Sequence, residues 1–158
     1  MNLNMLGAFA AVALLAACAS NNDTAATAGS GTTVATAGPA PGSQEDLVRN
    51  VGDRVFFEFD RSVLQPDGRA TLDRQAGWLK QYAGNNVQVA GNTDERGTEE
   101  YNIALGQRRA NSARDYLVAA GVAGSRITTV SYGKDRPSAL GSDEQSWAQN
   151  RNAITSVH

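Results

Sequence analysis

Hydrophobic residues crowd the start of this chain, in the run Leu6-Gly7-Ala8-Phe9-Ala10-Ala11-Val12-Ala13-Leu14-Leu15-Ala16-Ala17, and then lose all pattern until about Gln44. Regular spacings begin after Glu45. Arg54-Val55-Phe56-Phe57-Glu58-Phe59 is rich in β-formers and predicts a strand that ends at Asp60-Arg61-Ser62. Pro66 suits the first turn of a helix, which Leu72, Ala76, Leu79 and Ala83 carry on to a stop at Gly84-Asn85-Asn86. Val87-Gln88-Val89-Ala90 reads as a short strand running into a polar turn marked by Gly91, Asn92 and Gly97. Thr98 is the expected N-cap of a second helix, with Glu99 and Glu100 in its first turn and an end near Gly121. A strand over Arg126–Tyr132, the loop Gly133-Lys134-Asp135-Arg136-Pro137, a short helix from Ser142 to Gln149 and a closing strand Asn152–Val157 complete the chain. This alternation predicts an α/β (α+β) domain with helices packed on a mixed sheet, and leaves the strand order open.

The second helix breaks its own pattern. At about 100° per residue, Tyr101, Leu105, Ala113, Tyr116, Leu117 and Ala120 share an apolar face opposite Gln107, Asn111 and Arg114. Arg109 falls near the middle of that apolar face, one turn after Leu105, and Asn102 lies on the same side. A guanidinium keeps its charge and is seldom buried without a partner. The nearest acid is Asp94, in the turn before the helix, and it admits two roles. Asp94 and Arg109 form a structural ion pair, or they share a ligand, the arginine taking a carboxylate through its planar fork and the aspartate an ammonium. A zwitterion such as an amino acid satisfies both. A purely structural pair predicts a loss of about 3–5 kcal/mol when one partner is removed. An open site predicts a stability loss on the order of 1 kcal/mol.

Asn92-Thr93-Asp94-Glu95-Arg96-Gly97-Thr98-Glu99-Glu100-Tyr101-Asn102, followed by Leu105-Gly106-Gln107-Arg108-Arg109-Ala110-Asn111, resembles the signature of OmpA-like peptidoglycan-binding domains. The variant is that of the peptidoglycan-associated lipoproteins, and the resemblance runs from about Val55 to Val157. It implies a βαβαβ-type mixed four-stranded sheet with helices on one face. It also implies a pocket of Phe59, Asp60, Asp94, Asn102, Leu105 and Arg109 that holds the diaminopimelate of a peptidoglycan stem peptide. The family further implies the TolB propeller and other Tol-system proteins as partners, in envelope integrity and cell division. Two positions depart from the family pattern: Asn92 stands where relatives often have His, and Asn150-Arg151-Asn152 replaces Asn-Arg-Arg, losing any role of the second arginine.

Composition changes the picture at the N-terminus. Residues 1–17 are too short for a membrane span but suit the core of a signal peptide, and Leu15-Ala16-Ala17-Cys18 resembles a bacterial lipobox. Lipidation is therefore expected at Cys18, anchoring the chain in the outer membrane with the domain in the periplasm. The region before the apolar run holds no Lys or Arg. Residues 18–44 are mostly Ala, Thr, Gly, Ser, Asn and Pro with one charge and no aromatic, and predict a disordered linker. Such a tether averages about 25–30 Å end to end and stretches to about 90 Å. The folded domain is expected over 45–158.

Net charge is −2, and the Lys and Arg residues are scattered, so no basic patch recommends nucleic acid. With one Cys, no intrachain disulfide forms, and the one His is the last residue. Asp60 and Asp94 can be imagined as a general acid and base of a wall-cleaving enzyme. The exported domain has neither a Cys nucleophile nor a metal-ligand cluster to support that, and no cofactor is implied. Flagellar motor stators share this domain type but carry a true membrane-spanning helix. Gly133-Lys134 reads as an ordinary turn rather than a phosphate loop.

Overall fold

Strands β1 (Arg54–Phe56), β2 (Val87–Asn92), β3 (Ile127–Gly133) and β4 (Asn152–Val157) form one sheet in the order β1-β4-β2-β3. The structure is a computed structural model and describes residues 38–158. The expected leader over 1–17, Cys18 and most of the linker lie outside the described residues. β2 and β3 run parallel, while β4 is antiparallel to both β1 and β2, so the sheet is mixed as expected.

The helices follow from the apolar spacing. α2 (Pro66–Gln81) packs on β1, and α3 (Glu99–Ala119) crosses from β2 to β3 and packs on both. Val55, Leu72, Leu79, Val87, Val89 and Leu117 form the centre of the core, each at most 2 % exposed. Burial of one such side chain stabilises the fold by about 1.5–3 kcal/mol. Gln75 is the polar exception in this layer; it donates to Gly52 O and accepts from Thr155 Oγ1, which satisfies it. On the opposite face of the sheet, Gln88, Ile154 and Ser156 remain partly exposed, as the period of two requires.

One contact sets the position of the site. Gly91 of β2 lies directly under Gly106 of α3, where a Cβ on Gly91 would fall 1.8 Å from Gly106 O. The two glycines let the helix backbone rest on the strand backbone. Asn102, Leu105 and Arg109, which flank Gly106, are thereby held over the end of β2.

The elements depart from expectation at their ends. β1 stops at Phe56 rather than Phe59: Phe57 still donates to Arg151 O, and the chain then turns through Asp60 at φ 56°. α2 ends at Gln81, leaving Ala83 exposed outside it, because the guanidinium of Arg126 collects the carbonyls of Leu79, Tyr82 and Asn85. The short helix α4 is Glu144–Asn150, and Asp143 is its N-cap, accepting from Ser146 N.

Before β1, a turn α1 (Gln44–Asp46) runs into a π-helical turn, Leu47–Val51, which the pattern of residues does not announce. Ordered hydrogen bonding already begins at Ala40, whose carbonyl accepts from Ser43 N. Buried Asp46 accepts from Gly42 N, Asn50 Nδ2 and Trp78 Nε1, and Trp78 leads the causes that hold this carboxyl below its usual range.

Candidate binding site

Six side chains singled out in the sequence come together at the end of β2. Phe59 and Asp60 arrive from the loop after β1, Asp94 from the turn after β2, and Asn102, Leu105 and Arg109 from α3. They line one cavity of about 240 Å³, together with Thr93, Arg96, Gly97 and Tyr101. Thr98 caps α3 as expected, its hydroxyl accepting from Tyr101 N. The cap fixes the phase of the first turn, so that Asn102 points inward and donates to Arg96 O.

Arg109 is fully buried at 0 % exposure, and its partners are not those expected. Asp94 makes no ion pair with it. Nε donates to Arg61 O at 2.8 Å, Nη1 to Asn92 O at 2.8 Å and Nη2 to Glu58 O at 3.1 Å. The ring of Phe57 lies 5.3 Å from the guanidinium carbon. Burial pulls the Arg109 pKa down to about 10, opposed by the charge of Asp94, so the group is cationic at neutral pH.

Asp94 pairs elsewhere. Its Oδ1 accepts from Arg96 N at 3.2 Å and Nε at 3.3 Å, and its Oδ2 from Arg96 Nη2 at 2.7 Å and Arg151 Nη1 at 3.4 Å. Burial alone would raise this carboxyl; the Arg96 hydrogen bonds and charge, with Arg151, outweigh it and hold the pKa below the ordinary value. Arg151 is itself buried, donates from Nε to Phe57 O and pairs with Glu144 through Nη2 at 2.7 Å.

The rim is aromatic. The Arg96 guanidinium lies between the rings of Phe59 and Trp147, 4.1 Å from each centroid. Phe59 is 56 % exposed and Tyr101 46 %, and the Tyr101 hydroxyl donates to Asp60 Oδ1. That hydrogen bond is the main cause raising the Tyr101 pKa. Tyr101, placed on the apolar face by the wheel, therefore belongs to the cavity wall rather than the core. Asp60, Asp94, Arg96 and Arg109 line a cavity whose wall is otherwise largely apolar, and their charges balance. A small zwitterion with an aliphatic body matches that arrangement.

The two departures from the family pattern meet in space. Asn92 Nδ2 donates to Asn152 Oδ1 at 2.8 Å, and both are buried. Thr93, Arg96, Gly97 and Tyr101 lay inside the motif without being assigned to the site, as did Arg151 in the Asn150-Arg151-Asn152 stretch, whereas Glu144 and Trp147 carried no local signal. Among the described residues, no group of three His, Cys, Asp or Glu could hold a metal ion, and no helix is long and apolar enough to cross a membrane.

Comparison with known proteins places this geometry. The model of the OmpA family matches residues 56–151. A peptidoglycan-associated lipoprotein of Rhizobium meliloti is 54 % identical over 115 residues, covering 73 % of this chain and 65 % of the relative, just under two thirds of its length. One of Pseudomonas putida is 44 % identical over 161 residues and covers 96 % of both chains. The crystal structure of the peptidoglycan-associated lipoprotein from Burkholderia pseudomallei is 45 % identical, with a TM-score of 0.65 over 67 % of this chain and 90 % of that one. The C-terminal domain of Helicobacter pylori MotB shares the fold at 20 % identity, with a TM-score of 0.63 over 67 % of this chain and 84 % of that one.

Proposed function

The chain belongs to the OmpA family and, within it, to the peptidoglycan-associated lipoproteins, and on that premise we propose that it ties the outer membrane to peptidoglycan by gripping diaminopimelate in a stem peptide. It is a binding protein rather than an enzyme. The observation that carries the reading is the gathering of Phe59, Asp60, Asp94, Asn102, Leu105 and Arg109, from three separate stretches, around one cavity. Diaminopimelate ends in an ammonium and a carboxylate on one carbon, at the tip of an aliphatic arm. Phe59 and Leu105 offer the arm an apolar wall, and the acids and arginines offer the poles their counter-charges.

Lysine is the same arm without the terminal carboxylate, which makes it the natural control. Calorimetric titration of the domain should show a stem peptide with diaminopimelate binding at least about tenfold more tightly than its lysine counterpart, since losing one buried charge contact commonly costs a few kcal/mol. Equal affinities would remove the zwitterion from the reading. The remainder of the proposal follows the family: an acyl anchor at Cys18, a domain in the periplasm, and TolB competing for a surface that overlaps the cavity. Cys18→Ser should release the protein from outer-membrane fractions, and retention of the variant there would count against the anchor. In the same titration, TolB and stem peptide should weaken each other's binding.

A further inference from the structure

Asp94 has no acceptor position left for a ligand ammonium. A carboxylate offers about four lone-pair sites, and four donors occupy them, three from Arg96 and one from Arg151. The Asp94 side chain is only 6 % exposed. A ligand that pairs with Asp94 must therefore displace one of these arginines. Arg151 is locked, since it is buried and is also bonded to Phe57 O and Glu144. Arg96 is not: its side chain is 33 % exposed and its flat guanidinium rests against the rings of Phe59 and Trp147.

A second carboxylate waits on the far side. Glu144 is held in place by Arg151 through Oε1, and its other oxygen, Oε2, stands 3.9 Å from Arg96 Nη1, too far for a hydrogen bond and near enough for a small shift to make one. We propose that Arg96 is a latch on the binding site, which bonds Asp94 in the closed form and slides onto Glu144, between the Phe59 and Trp147 rings, when a ligand ammonium takes Asp94. This rests on the function proposed above and adds a regulatory step to it. Charge stays balanced throughout: Asp94 exchanges a guanidinium for an ammonium, and the guanidinium keeps a carboxylate. The stacked rings let the cation move in their plane without losing either face contact. Arg96 and Glu144 are in this sense positioning residues, because they set how much of Asp94 is on offer. α4, which carries Glu144 and Trp147, becomes the element through which a partner docked beside the cavity would open or close it.

Trp147 reports the movement, since its indole stacks on Arg96 and its Nε1 donates to Glu95 Oε1. The full exported chain is titrated with a soluble stem peptide carrying diaminopimelate, by calorimetry and by tryptophan fluorescence in parallel. A fluorescence change is expected to track the binding heat in the unaltered protein and to vanish in Trp147→Phe, which keeps a ring for the stack. Glu144→Gln removes the second resting place and should weaken binding about tenfold, because the competent fraction falls. Glu144→Asp should recover part of it. Glu144 is 66 % exposed on its side chain, so these variants are expected to melt with the unaltered protein. Binding heat without a Trp147 signal, or with Glu144→Gln binding as well as the unaltered chain, would overturn the latch and leave the proposed function intact. No heat from any stem peptide would overturn both.

Discussion

Arg109 and Arg126 handle a guanidinium in the same way and to different ends. Arg126 gathers the carbonyls of Leu79, Tyr82 and Asn85, all from the end of α2 and the turn after it. Leu79 O and Tyr82 O are among the orphan acceptors that a helix leaves at its C-terminus, where a cation is also favoured by the dipole. Arg109 gathers the carbonyls of Glu58 and Arg61 in the loop after β1 and of Asn92 at the end of β2, far apart in sequence, and does so under a cavity. Arg126 ties down one local turn; Arg109 ties the loop after β1 to the end of β2, the two walls of the binding site. What separates the two is the cavity that Arg109 lines, and three of its five N–H groups are spent on backbone carbonyls.

The contrast breaks most sharply in Arg109→Ala. Three carbonyls lose their donor and the site loses a cation, so the domain should lose about 3–5 kcal/mol of stability and all retention on peptidoglycan. A thermal melt close to the unaltered protein would show that Arg109 does not hold the walls. Arg109→Lys comes next: a point charge can serve one carbonyl or the ligand but not both. Binding should fall by about ten- to a hundredfold with a stability loss of about 1–2 kcal/mol, and unchanged affinity would argue that the fork is not used. Arg126→Ala should cost about 1–2 kcal/mol through the frayed end of α2 and leave peptidoglycan co-sedimentation as it was. A binding defect in the folded variant would erase the distinction between the two arginines.

The smallest effect is a pH dependence at Asp94. Its folded pKa lies below the ordinary value, so its stabilising contribution is complete above the usual carboxylate range and is lost as pH falls through the folded value. Asp94→Asn should flatten that acid limb of the stability curve, seen by chemical denaturation at a series of pH values. An unchanged limb would assign it to another carboxylate.

The sequence pattern carried the core and the motif further than it carried the partners. Apolar spacing placed α2, α3 and all four strands, because burial is periodic along regular elements. It also exposed Arg109 as a charge on a buried face, which the structure upholds. Of its two roles for Asp94 and Arg109, the direct ion pair fails, since the acceptors of Arg109 are main-chain carbonyls and any residue type can supply those. The mates of Asp94 were hidden for another reason. Arg96 is two residues away but looks like any exposed turn arginine, and Arg151 is 57 residues away, between α4 and β4. The end of β1 escaped because Phe57 and Phe59 read as continuing strand, while the chain there is bending to line the cavity.

The clasp at the start of the domain has a mechanical meaning. In the proposed tether, tension enters through the residues ahead of Gly42. It meets first the Asp46 carboxylate, which binds Gly42 N, Asn50 and Trp78, and the Asn85 side chain, which holds Gly42 O. Gln44 then passes the pull to Val157 N at the far end of β4, a central strand bonded on both sides. Hydrogen bonds along such a strand share a force directed along its length, so the weak point under traction is the clasp and not the sheet. At the other end of β4 stands Arg151, one residue before the strand and in contact with Asp94. In the proposed tether, a pull on the anchor and a grip on the wall would be joined by this single strand. In a pulling experiment from the N-terminal side, Asp46→Ala should yield at lower force than the unaltered chain while keeping its affinity for stem peptide.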